Sequence, residues 1–542
     1  MQILRKLTMQ IFRKSLLLAL FYLCLLAPGK SLAEEICIII TTDVHGHLVE
    51  EPGKGRIGFA RLLGYVNSLK NRGIATFLLD SGDAFSGSAL AQADRGRTVA
   101  RAMGMMGYRV LTPGNHAFDH NEAENDPLYY SNTLLETVRK SNPDTQSTAV
   151  NVSRYNKPAP GIQQEPVVVY DTTADNPDGL RIIVAGVLTP YTGRRSLQNS
   201  IAGFDFGWRE GERETKEVIL AGLEKAVQHY SRPQDLVIVL SHVGQLPRDE
   251  GLSAKDLAQV ANVDFVADGH SHEVEAPQQV GTAMYGNGGR YLEHFLEIAV
   301  AQDGAAVMSL KTMNDVARHV PDKALETFLA ESKTSLGLEE ALFALPGDHF
   351  SDSGLRSRNT PLGRLICRSL MEAAQADFAV YNVGGIRAGL GRGPVTVGDV
   401  YDVLPFSDTL GRATFSGRQG ASLFEQWFSR RGRGYPQFYG MRLYGHALEG
   451  GKVDILGILD SKGQPLDPDK EYSLAINSFM LRFLLEKPLD ATDIGKTTPA
   501  VISHFRANPN IELESLYDNR TLFVFSDRGE AEKSWEEARR GK

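Results

Sequence analysis

The segment Ile36-Cys37-Ile38-Ile39-Ile40-Thr41-Thr42-Asp43-Val44-His45 decides the fold of this chain. Its apolar run, Ile36–Ile40, predicts a short β-strand, and Asp43 and His45 stand just beyond the end of that run. In open α/β sheets, ligands bind beyond the carboxyl ends of the strands. The segment therefore predicts an α/β fold with a polar site at this strand end.

Four more segments repeat the arrangement, in which an apolar run ends in Asp, Asn or His. Asp80-Ser81-Gly82-Asp83 follows Ala75–Leu79, Gly114-Asn115-His116 follows Val110–Leu111, Ser241-His242 follows Leu236–Leu240, and Gly269-His270-Ser271-His272 follows Val263–Ala267. Helical patterns alternate with these runs at Arg56–Asn71, Thr98–Met106, Arg213–Tyr230 and Ala254–Ala261. This alternation predicts a layered α/β domain whose strand ends share one site.

The side chains at these strand ends are of metal-binding types: Asp43, His45, Asp83, Asn115, His242, His270 and His272. Three carboxylate or amide oxygens and four imidazoles exceed the needs of one tetrahedral ion, but they fit two cations that share a carboxylate. Mixed nitrogen and oxygen donors suit Zn²⁺, Mn²⁺, Fe²⁺ or Co²⁺ and do not suit Ca²⁺. A pair of such ions activates a bridging water near neutral pH and clamps a phosphoryl group, so the pattern indicates hydrolysis.

A dyad next to these ligands completes the predicted site. His116 adjoins Asn115, and Asp119 stands three residues further on, where its carboxylate can hold the imidazole protonated. We therefore expect His116 and Asp119 to supply positive charge or a proton to the leaving oxygen.

Charge and cysteine content limit the function classes. The chain has 542 residues and a net charge of −8, and its first 33 residues hold five basic residues and no acid, so the remainder is more acidic still. Nucleic-acid binding depends on phosphate neutralisation, so we expect no nucleic-acid partner. Cys37 and Cys367 stand far apart in sequence, and we expect two free thiols, with a disulfide as the alternative.

The N-terminus reads as a secretory signal. Arg13-Lys14 precedes an apolar stretch, Leu16–Leu26, and Ser31-Leu32-Ala33 forms a small-residue cleavage site. The apolar stretch is short for a membrane span, so we expect cleavage after Ala33 and a periplasmic or secreted protein. The alternative is an uncleaved membrane anchor.

The pattern changes near Val320-Pro321, which divides the chain. We expect a signal peptide at 1–33, a catalytic domain at 34–318, a linker helix at 319–345, an α+β substrate-binding domain at 346–526 and a charged, frayed tail at 527–542. The predicted partner is a small molecule, and no feature of the sequence indicates an oligomeric state.

The strand-end blocks, extended to Thr42–Gly46 and Gly114–Asp119, resemble the five blocks of calcineurin-like metallophosphoesterases. In order and spacing they are most similar to the 5′-nucleotidase/UDP-sugar hydrolase family. The resemblance implies a layered αββα metallophosphoesterase domain followed by a separate α+β substrate domain. It implies a first metal held by Asp43, His45, Asp83 and His272, a second held by Asp83, Asn115, His242 and His270, and a catalytic dyad of His116 and Asp119. Ala117 and His272 depart from residues common in the family.

The second domain carries the expected substrate contacts. Arg358 precedes a helix predicted from Pro361, with Asn359 or Thr360 as its cap. Asn382–Arg387 resembles the family's Asn-Gly-Gly-Gly-Ile-Arg block, and Gly398–Phe406 is similar to a block that ends in a base-stacking Phe. The resemblance therefore implies substrate contacts by Arg358, Asn382, Arg387 and Phe406.

One segment departs from the family. After Asn477-Ser478-Phe479 the chain reads Met480–Leu485, where members carry a glycine-rich loop with a second stacking ring. We expect that face of the base site to be missing or supplied by Phe483. The leading hypothesis is a metal-dependent 5′-nucleotidase or UDP-sugar hydrolase. The alternatives are a 2′,3′-cyclic-nucleotide phosphodiesterase, a sulfur-oxidation thiosulfohydrolase on the same architecture, and a non-catalytic phospholigand-binding protein.

Overall fold

The computed structural model describes residues 34–121, 126–171, 180–196, 200–245, 251–301, 303–347, 350–351, 353–406, 408–428, 435–449, 452–483, 485, 489–517 and 521–541. The predicted signal peptide, 1–33, lies outside the described residues. Within these ranges, no helix combines the length and the apolar character that a membrane crossing requires.

The first domain is built on two mixed sheets of six strands each. The spatial order in the first sheet is Ala306–Thr312, His294–Ala301, Glu34–Thr41, Ala75–Asp80, Tyr108–Leu111 and Gln146–Ser147. In the second sheet it is Val274–Val280, Ala283–Gly288, Phe265–Asp268, Leu236–His242, Arg181–Leu188 and Val167–Asp171. A small sheet of Lys157–Pro158, Ser153–Arg154 and Phe204–Asp205 lies in the irregular part of the domain.

Helices accompany these strands. They span Phe59–Asn71, Ala89–Ala93, Arg97–Met106, Glu136–Ser141, Thr192–Arg195, Glu212–Tyr230, Ala254–Leu257, Met313–Val316 and Lys323–Ser335, with shorter turns at Pro52–Lys54, Asn115–Phe118 and Tyr130–Leu135.

The opening strand, Glu34–Thr41, shows why its residues form a buried element. Ile36, Ile38 and Ile40 belong to the core that also contains apolar residues of the second sheet. Cys37 and Ile39 belong to the core that contains the helix Phe59–Asn71. Successive side chains of a strand point to opposite faces, so an unbroken apolar run can satisfy two cores at once. The predicted layered α/β architecture is confirmed.

The second domain has a five-stranded sheet in the order Gln437–Tyr439, Phe378–Tyr381, Glu471–Asn477, Thr409–Ser416 and Ala491–Lys496. A three-stranded sheet holds Val453–Leu459, Arg442–Ala447 and Leu522–Phe525, and Ala341–Leu345 pairs with Gly393–Thr396. Its helices and short turns are Pro361–Ala373, Val383–Gly385, Val397–Val403, Gly417–Phe428, Ser478–Phe483, Thr497–Ala507, Glu514–Tyr517 and Arg528–Arg539. The predicted separate second domain is confirmed.

Two local expectations are also met. The helix Pro361–Ala373 begins at an N-cap, Thr360, whose hydroxyl accepts a hydrogen bond from the amide of Gly363. Pro361 occupies the first helical position, where a missing N–H costs nothing. Cys37 and Cys367 are both buried free thiols.

The domain limits differ from the sequence-based expectation at both ends of the second domain. The helix Lys323–Ser335 buries Leu325 and Leu329 in the core of the first domain, so it is a packed element of that domain. The strand Ala341–Leu345, expected to be linker, pairs with Gly393–Thr396 of the second domain.

The C-terminal segment, expected to be a frayed tail, forms the helix Arg528–Arg539. The ring of Trp535 packs 5.6 Å from the ring of Tyr444, and a Cβ added at Gly457 would overlap the indole. Trp535 and the buried Ala531 thus attach this highly charged helix to the second domain.

Candidate active site

The turns at the strand ends hold their donor side chains in left-handed backbone conformation. Positive φ angles occur at five predicted ligands: Asp43 (47°), His45 (48°), Asp83 (56°), His270 (71°) and His272 (61°). Such a conformation costs of order 1–3 kcal/mol for a residue with a side chain. Hydrogen bonds between turns offset this cost, since the amides of Asp43 and His45 donate to the carbonyls of Gly82 and Asp83, both at 2.9 Å.

Asp43, His45 and His272 bring three donor atoms to one point. The Nε2 atoms of His45 and His272 lie 3.1 Å apart, and Oδ1 of Asp43 lies 3.7 and 3.3 Å from them. The Nδ1 of His45 donates to the carbonyl of Ser86 at 2.9 Å, so its Nε2 carries a lone pair. Asp43 Oδ1 is buried and has no hydrogen-bond partner among the described residues. Converging lone pairs of this kind fit a divalent cation.

A second group lies beside the first. Ligand atoms of Asp43, Asp83 and His242 lie within 4.8 Å of one another. The Nδ1 of His242 donates a hydrogen bond to the carbonyl of Ser81 at 2.8 Å. Its Nε2 is therefore the atom that can bind a metal ion. Oδ1 of Asn115 is buried without a hydrogen-bond partner in the described part of the chain, and Nε2 of His242 faces the carboxylate of Asp83 at 2.9 Å. Buried polar atoms are normally partnered, so the orphaned oxygen of Asn115 indicates a ligand.

Asp83 lies between the two groups. Its Oδ2 is 2.9 Å from Nε2 of His242 and 3.9 Å from Nε2 of His45. Its Oδ1 accepts a hydrogen bond from the amide of His116 at 2.9 Å, which fixes the carboxylate plane. The donor set therefore fits a pair of cations with Asp83 as the shared ligand, as the sequence predicts.

His270 extends the second group toward the solvent side. Its ring centroid lies 5.3 Å from that of His242, and its amide donates to Oδ2 of Asp43 at 2.9 Å. Burial and the neighbouring His242 lower the pKa of His270 to about 3. The imidazole is therefore neutral, which is the form that binds metal.

Two glycines allow these turns to approach so closely. A Cβ added at Gly114 would overlap Oδ1 of Asp83, and a Cβ at Gly269 would overlap the hydroxyl of Thr42 and lie 2.6 Å from Oδ2 of Asp43. Neither position can carry a larger residue without displacing a ligand carboxylate. The glycines of the strand-end blocks thus serve close packing of the ligands.

Two further carboxylates stand behind the ligands. Asp80 accepts hydrogen bonds from the hydroxyl of Thr41 at 2.7 Å and from the amide of Gly82 at 2.9 Å. Asp268 accepts from the hydroxyl of Ser241 at 2.7 Å and from the amide of Gly244 at 3.2 Å. Burial raises the pKa of Asp80 to about 7 and that of Asp268 to about 6. Both carboxylates therefore hold the turns in place and do not face the metal-binding atoms. The sequence did not predict this role.

His116 and Asp119 form the predicted dyad. Nδ1 of His116 donates to Oδ2 of Asp119 at 2.7 Å. Burial disfavours the charged imidazole, but the carboxylates of Asp119 and Asp83 outweigh it and raise the pKa of His116 to about 9. The ring of His116 lies 5.6 Å from that of His45 and 5.9 Å from that of Phe406, between the donor cluster and the second domain. His116 can therefore donate a proton to a substrate atom that lies between the two domains.

A cavity of about 320 Å³ opens from the donor cluster between the domains. The first domain lines it with Asn115, His116, Asp119, Thr189, Tyr191, Thr192, Ser196, Ser200 and His270, and the second with Asn382, Gly384, Gly385, Phe406, Asp408 and Phe479. Small-molecule sites typically measure about 300–1,000 Å³, so the cavity suits a ligand of nucleotide size.

Some of the predicted substrate-binding residues line the cavity and others do not. Asn382 and Phe406 line the cavity. Arg387 is exposed, and its guanidinium carbon lies 5.8 Å from the centre of the Phe406 ring. Arg358 is exposed beside Gly354 and does not line the cavity. The side chain of Phe483 lies outside the described residues.

Several cavity residues were not identified from the sequence. Phe479 and Asp408 line the cavity near Phe406, and both were detectable, because one ends the Asn477–Phe479 block and the other stands two residues after Phe406. Thr189 and Tyr191 contribute a hydroxyl-bearing wall from the first domain. No motif or periodicity marked that wall, because it is assembled by a loop.

Two family models match the chain. The calcineurin-like phosphoesterase family matches residues 37–274, and the 5′-nucleotidase C-terminal domain matches residues 341–482. The two matches fall within the two domains of the structure, and the second begins at the strand Ala341–Leu345. The first ends before the strand Ala283–Gly288, and the second ends before the strand Ala491–Lys496.

Relatives of known activity share both domains. The trifunctional nucleotide phosphoesterase protein YfkN of Bacillus subtilis is 27% identical over 502 residues, which is 84% of this chain and 32% of that protein. The 5′-nucleotidase of Vibrio cholerae is 24% identical over 516 residues, or 84% of this chain and 87% of the relative. The chain thus spans about a third of YfkN but most of the Vibrio protein.

Solved structures share the fold. A 5′-nucleotidase precursor from Thermus thermophilus superimposes with a TM-score of 0.65 at 21% identity, over 91% of this chain and 99% of that one. A sulfate thiohydrolase, SoxB, from the same organism gives a TM-score of 0.61 at 16% identity, over 91% and 97%. With both family models in their order along the chain, this protein belongs to the calcineurin-like metallophosphoesterases that carry a 5′-nucleotidase C-terminal domain, and it is a hydrolase of that family.

Proposed function

We propose that the protein is a secreted or periplasmic nucleotide phosphohydrolase of the 5′-nucleotidase or UDP-sugar hydrolase type, dependent on two divalent ions. The observation that carries the proposal is the position of His116 between the donor cluster and a cavity whose far wall holds Phe406 and Phe479. A phosphoester at the cluster would thus place its leaving group against aromatic rings.

The donor set supports two ions in distinct positions. Asp43, His45, Asp83 and His272 would hold the first, and Asp83, Asn115, His242 and His270 the second. When bound, such ions lower the pKa of water and neutralise phosphoryl oxygens. Zn²⁺, Mn²⁺, Co²⁺ and Fe²⁺ all suit this mixture of imidazole and oxygen donors.

The dyad has its own part in the reaction. Because the pKa of His116 is raised to about 9, the imidazole is protonated at neutral pH. Asp119 holds Nδ1, so Nε2 is the atom that can donate to the leaving oxygen. Retention of this dyad argues against a non-catalytic binding protein.

The second domain would hold the part of the substrate that is not hydrolysed. Phe406 and Phe479 are partly buried and line the cavity, and two aromatic side chains there suit a nucleobase. Arg387 lies close enough to Phe406 to contact a further anionic or sugar group. Phe479 lines the same cavity and would supply a second stacking face.

The test is hydrolysis by the mature protein from Glu34 with Mn²⁺, Zn²⁺ or Co²⁺. AMP, UDP-glucose, 2′,3′-cyclic AMP and bis-p-nitrophenyl phosphate are compared side by side, and an Asp83→Ala variant serves as the blank. Turnover of AMP or UDP-glucose well above the generic ester is the expected result. Activity on the generic ester alone would refute a nucleotide substrate.

Two rivals share the architecture. Preference for 2′,3′-cyclic AMP would identify a cyclic-nucleotide phosphodiesterase. Sulfate release from a thiosulfonate would identify a thiosulfohydrolase, whose fold this chain shares. The aromatic rings of the cavity favour a nucleotide over such a small sulfur substrate.

The proposed location depends on the leader. N-terminal sequencing of protein expressed from the full chain should begin at Glu34, whereas an intact N-terminus would favour an anchor.

A further inference from the structure

A buried amide, that of Asn477, is fixed in one orientation beneath the cavity. Asn477 is fully buried, and its Oδ1 accepts a hydrogen bond from the amide of Met480 at 3.1 Å. A backbone amide can only donate, so the atom facing it must be the oxygen and the other must be the NH₂ group. That NH₂ group donates to Oδ1 of Asn382 at 2.7 Å and to Oδ2 of Asp408 at 2.8 Å.

This hydrogen-bond network determines which polar groups of the cavity wall are available to a ligand. Because Oδ1 of Asn382 is already an acceptor for Asn477, its Nδ2 is left to donate, and it lies toward Gly384 on the cavity wall. Asp408 lines the same wall and is bound by Asn477 and the hydroxyl of Ser478. A carboxylate has about four acceptor sites, so it retains capacity for a ligand. The wall thus offers one donor and one anionic acceptor.

The charge of Asp408 narrows the class of ligand. Its charged neighbours are the carboxylate of Asp119, which is itself paired with the protonated His116, and the ammonium of Lys496. An ionised carboxylate accepts hydrogen bonds and donates none, so Asp408 favours a neutral group that carries N–H or O–H donors over a further phosphate.

We propose that Asp408, oriented by Asn477, is a specificity-determining residue that accepts a hydrogen bond from a neutral N–H or O–H of the portion of the substrate that is not hydrolysed. This inference rests on the proposed nucleotide function. Two parts of a nucleotide have the required chemistry, the amino group of the base and the hydroxyls of the ribose.

The test uses Asp408→Asn, which keeps the shape of the side chain and can keep an oxygen for Asn477. The measured quantity is the ratio of kcat/KM for AMP to kcat/KM for bis-p-nitrophenyl phosphate, because the generic ester lacks a nucleoside. A hydrogen bond to a charged group contributes enough that its loss should lower this ratio about 10- to 100-fold. Asp469→Asn is the matched control, since Asp469 is an exposed carboxylate of the same domain.

Two analogues identify the donor. Purine riboside 5′-monophosphate lacks the amino group of AMP, and 2′,3′-dideoxy-AMP lacks the ribose hydroxyls. The analogue that lacks the contacted group should have a low kcat/KM with the wild-type protein. Its kcat/KM should fall little further in Asp408→Asn, because the hydrogen bond is already absent. This wild-type comparison also holds if the variant fails to fold, because one analogue must then fall about 10- to 100-fold below AMP.

Three outcomes overturn the inference. They are an unchanged ratio in Asp408→Asn, an equal fall in Asp469→Asn, and wild-type kcat/KM values that do not differ between AMP and both analogues. Wild-type protein that hydrolyses the generic ester but no nucleotide would refute the proposed function as well. Normal AMP turnover with an unchanged ratio would refute this inference alone.

Discussion

Replacing Asp83 with alanine should remove both cations at once. Oδ2 of Asp83 lies 2.9 Å from Nε2 of His242 in one donor group and 3.9 Å from Nε2 of His45 in the other. Asp83→Ala takes a charged ligand from each ion, whereas loss of an outer ligand such as His272 would affect mainly one.

The size of the effect follows from burial. Asp83 is 3% exposed, so its charge is poorly replaced by water when the side chain is removed. Breaking a buried charge pair by removing one partner costs about 3–5 kcal/mol. This corresponds to a loss in affinity of at least roughly 10²-fold for each ion. The variant also loses the hydrogen bond from the amide of His116, which contributes about 1 kcal/mol to the dyad loop.

The assay is metal content by mass spectrometry after gel filtration, together with a titration of metal-free protein by Zn²⁺ or Mn²⁺. Wild-type protein should retain two ions per chain, and Asp83→Ala should retain neither at micromolar metal. Thermal unfolding is a second reading, because metal at 100 times its Kd stabilises the folded state by about 2.7 kcal/mol. That stabilisation should vanish in the variant.

Two controls separate the bridge from general damage. Asp144→Ala removes a carboxylate of the same domain that is 76% exposed, and it should bind metal normally. Asp83→Asn keeps an acceptor for His116 but not the charge, so it should fall between wild type and Asp83→Ala. Two ions bound to Asp83→Ala with unchanged affinity would refute the bridging assignment.

Three further predictions follow from the same geometry. His116→Ala should keep both ions and lower kcat by about 10²–10⁴, because it removes a proton donor but no metal ligand. An unchanged kcat would show that His116 is not the proton donor, and the metal content of the variant is the control. Phe406→Ala should raise KM for AMP about 5- to 150-fold more than KM for bis-p-nitrophenyl phosphate, since a stacked base contributes about 1–3 kcal/mol. Equal changes in the two KM values would indicate a packing role. Gly114→Ala should weaken metal binding about 10- to 100-fold, comparable to damage to the residues that orient a metal ligand, because its Cβ would overlap Oδ1 of Asp83. Gly53→Ala, where a Cβ meets no atom within 4 Å, is the matched control, and equal metal titrations for the two variants would contradict the steric argument.

Much of the secondary structure of the first domain could be predicted from local sequence. Apolar runs that end in Asp, Asn or His predicted the strands and their polar ends to within one or two residues. The strand Leu236–His242 extends two residues beyond its run, and the strand Phe265–Asp268 begins two residues after the start of the run Val263–Ala267. The cap at Thr360 and the dyad spacing of His116 and Asp119 were readable for the same reason. Strand period, helix caps and i to i+3 contacts depend on residues that are near in sequence.

Local sequence did not predict which of the candidate metal-binding residues lie on which sheet. Asp43, Asp83 and Asn115 follow strands of the first sheet, whereas His242 ends a strand of the second sheet and His270 follows another. The sequence predicted that these ends meet, but it did not say which strands pair. Ile38 and Ile40 of the first sheet share one core with Ile238 and Leu240 of the second, so the meeting of the strand ends depends on contacts between residues far apart in sequence.

The substrate cavity and the C-terminal helix belong wholly to tertiary structure. Asp408 and Phe479 come together with Tyr191 only because the second domain packs over the strand ends of the first. The helix Arg528–Arg539 is stabilised by Trp535 against a sheet whose strands come from three separate segments. Local sequence was enough to predict the fold class, the candidate metal-binding side chains and the spacing of His116 and Asp119, because each motif is carried by one strand end and the turn after it. The choice of strand neighbours, the walls of the cavity and the orientation of Asp408 were decided by contacts between residues far apart in the chain, because hydrophobic burial is non-directional and acts on whichever surfaces the completed fold brings together.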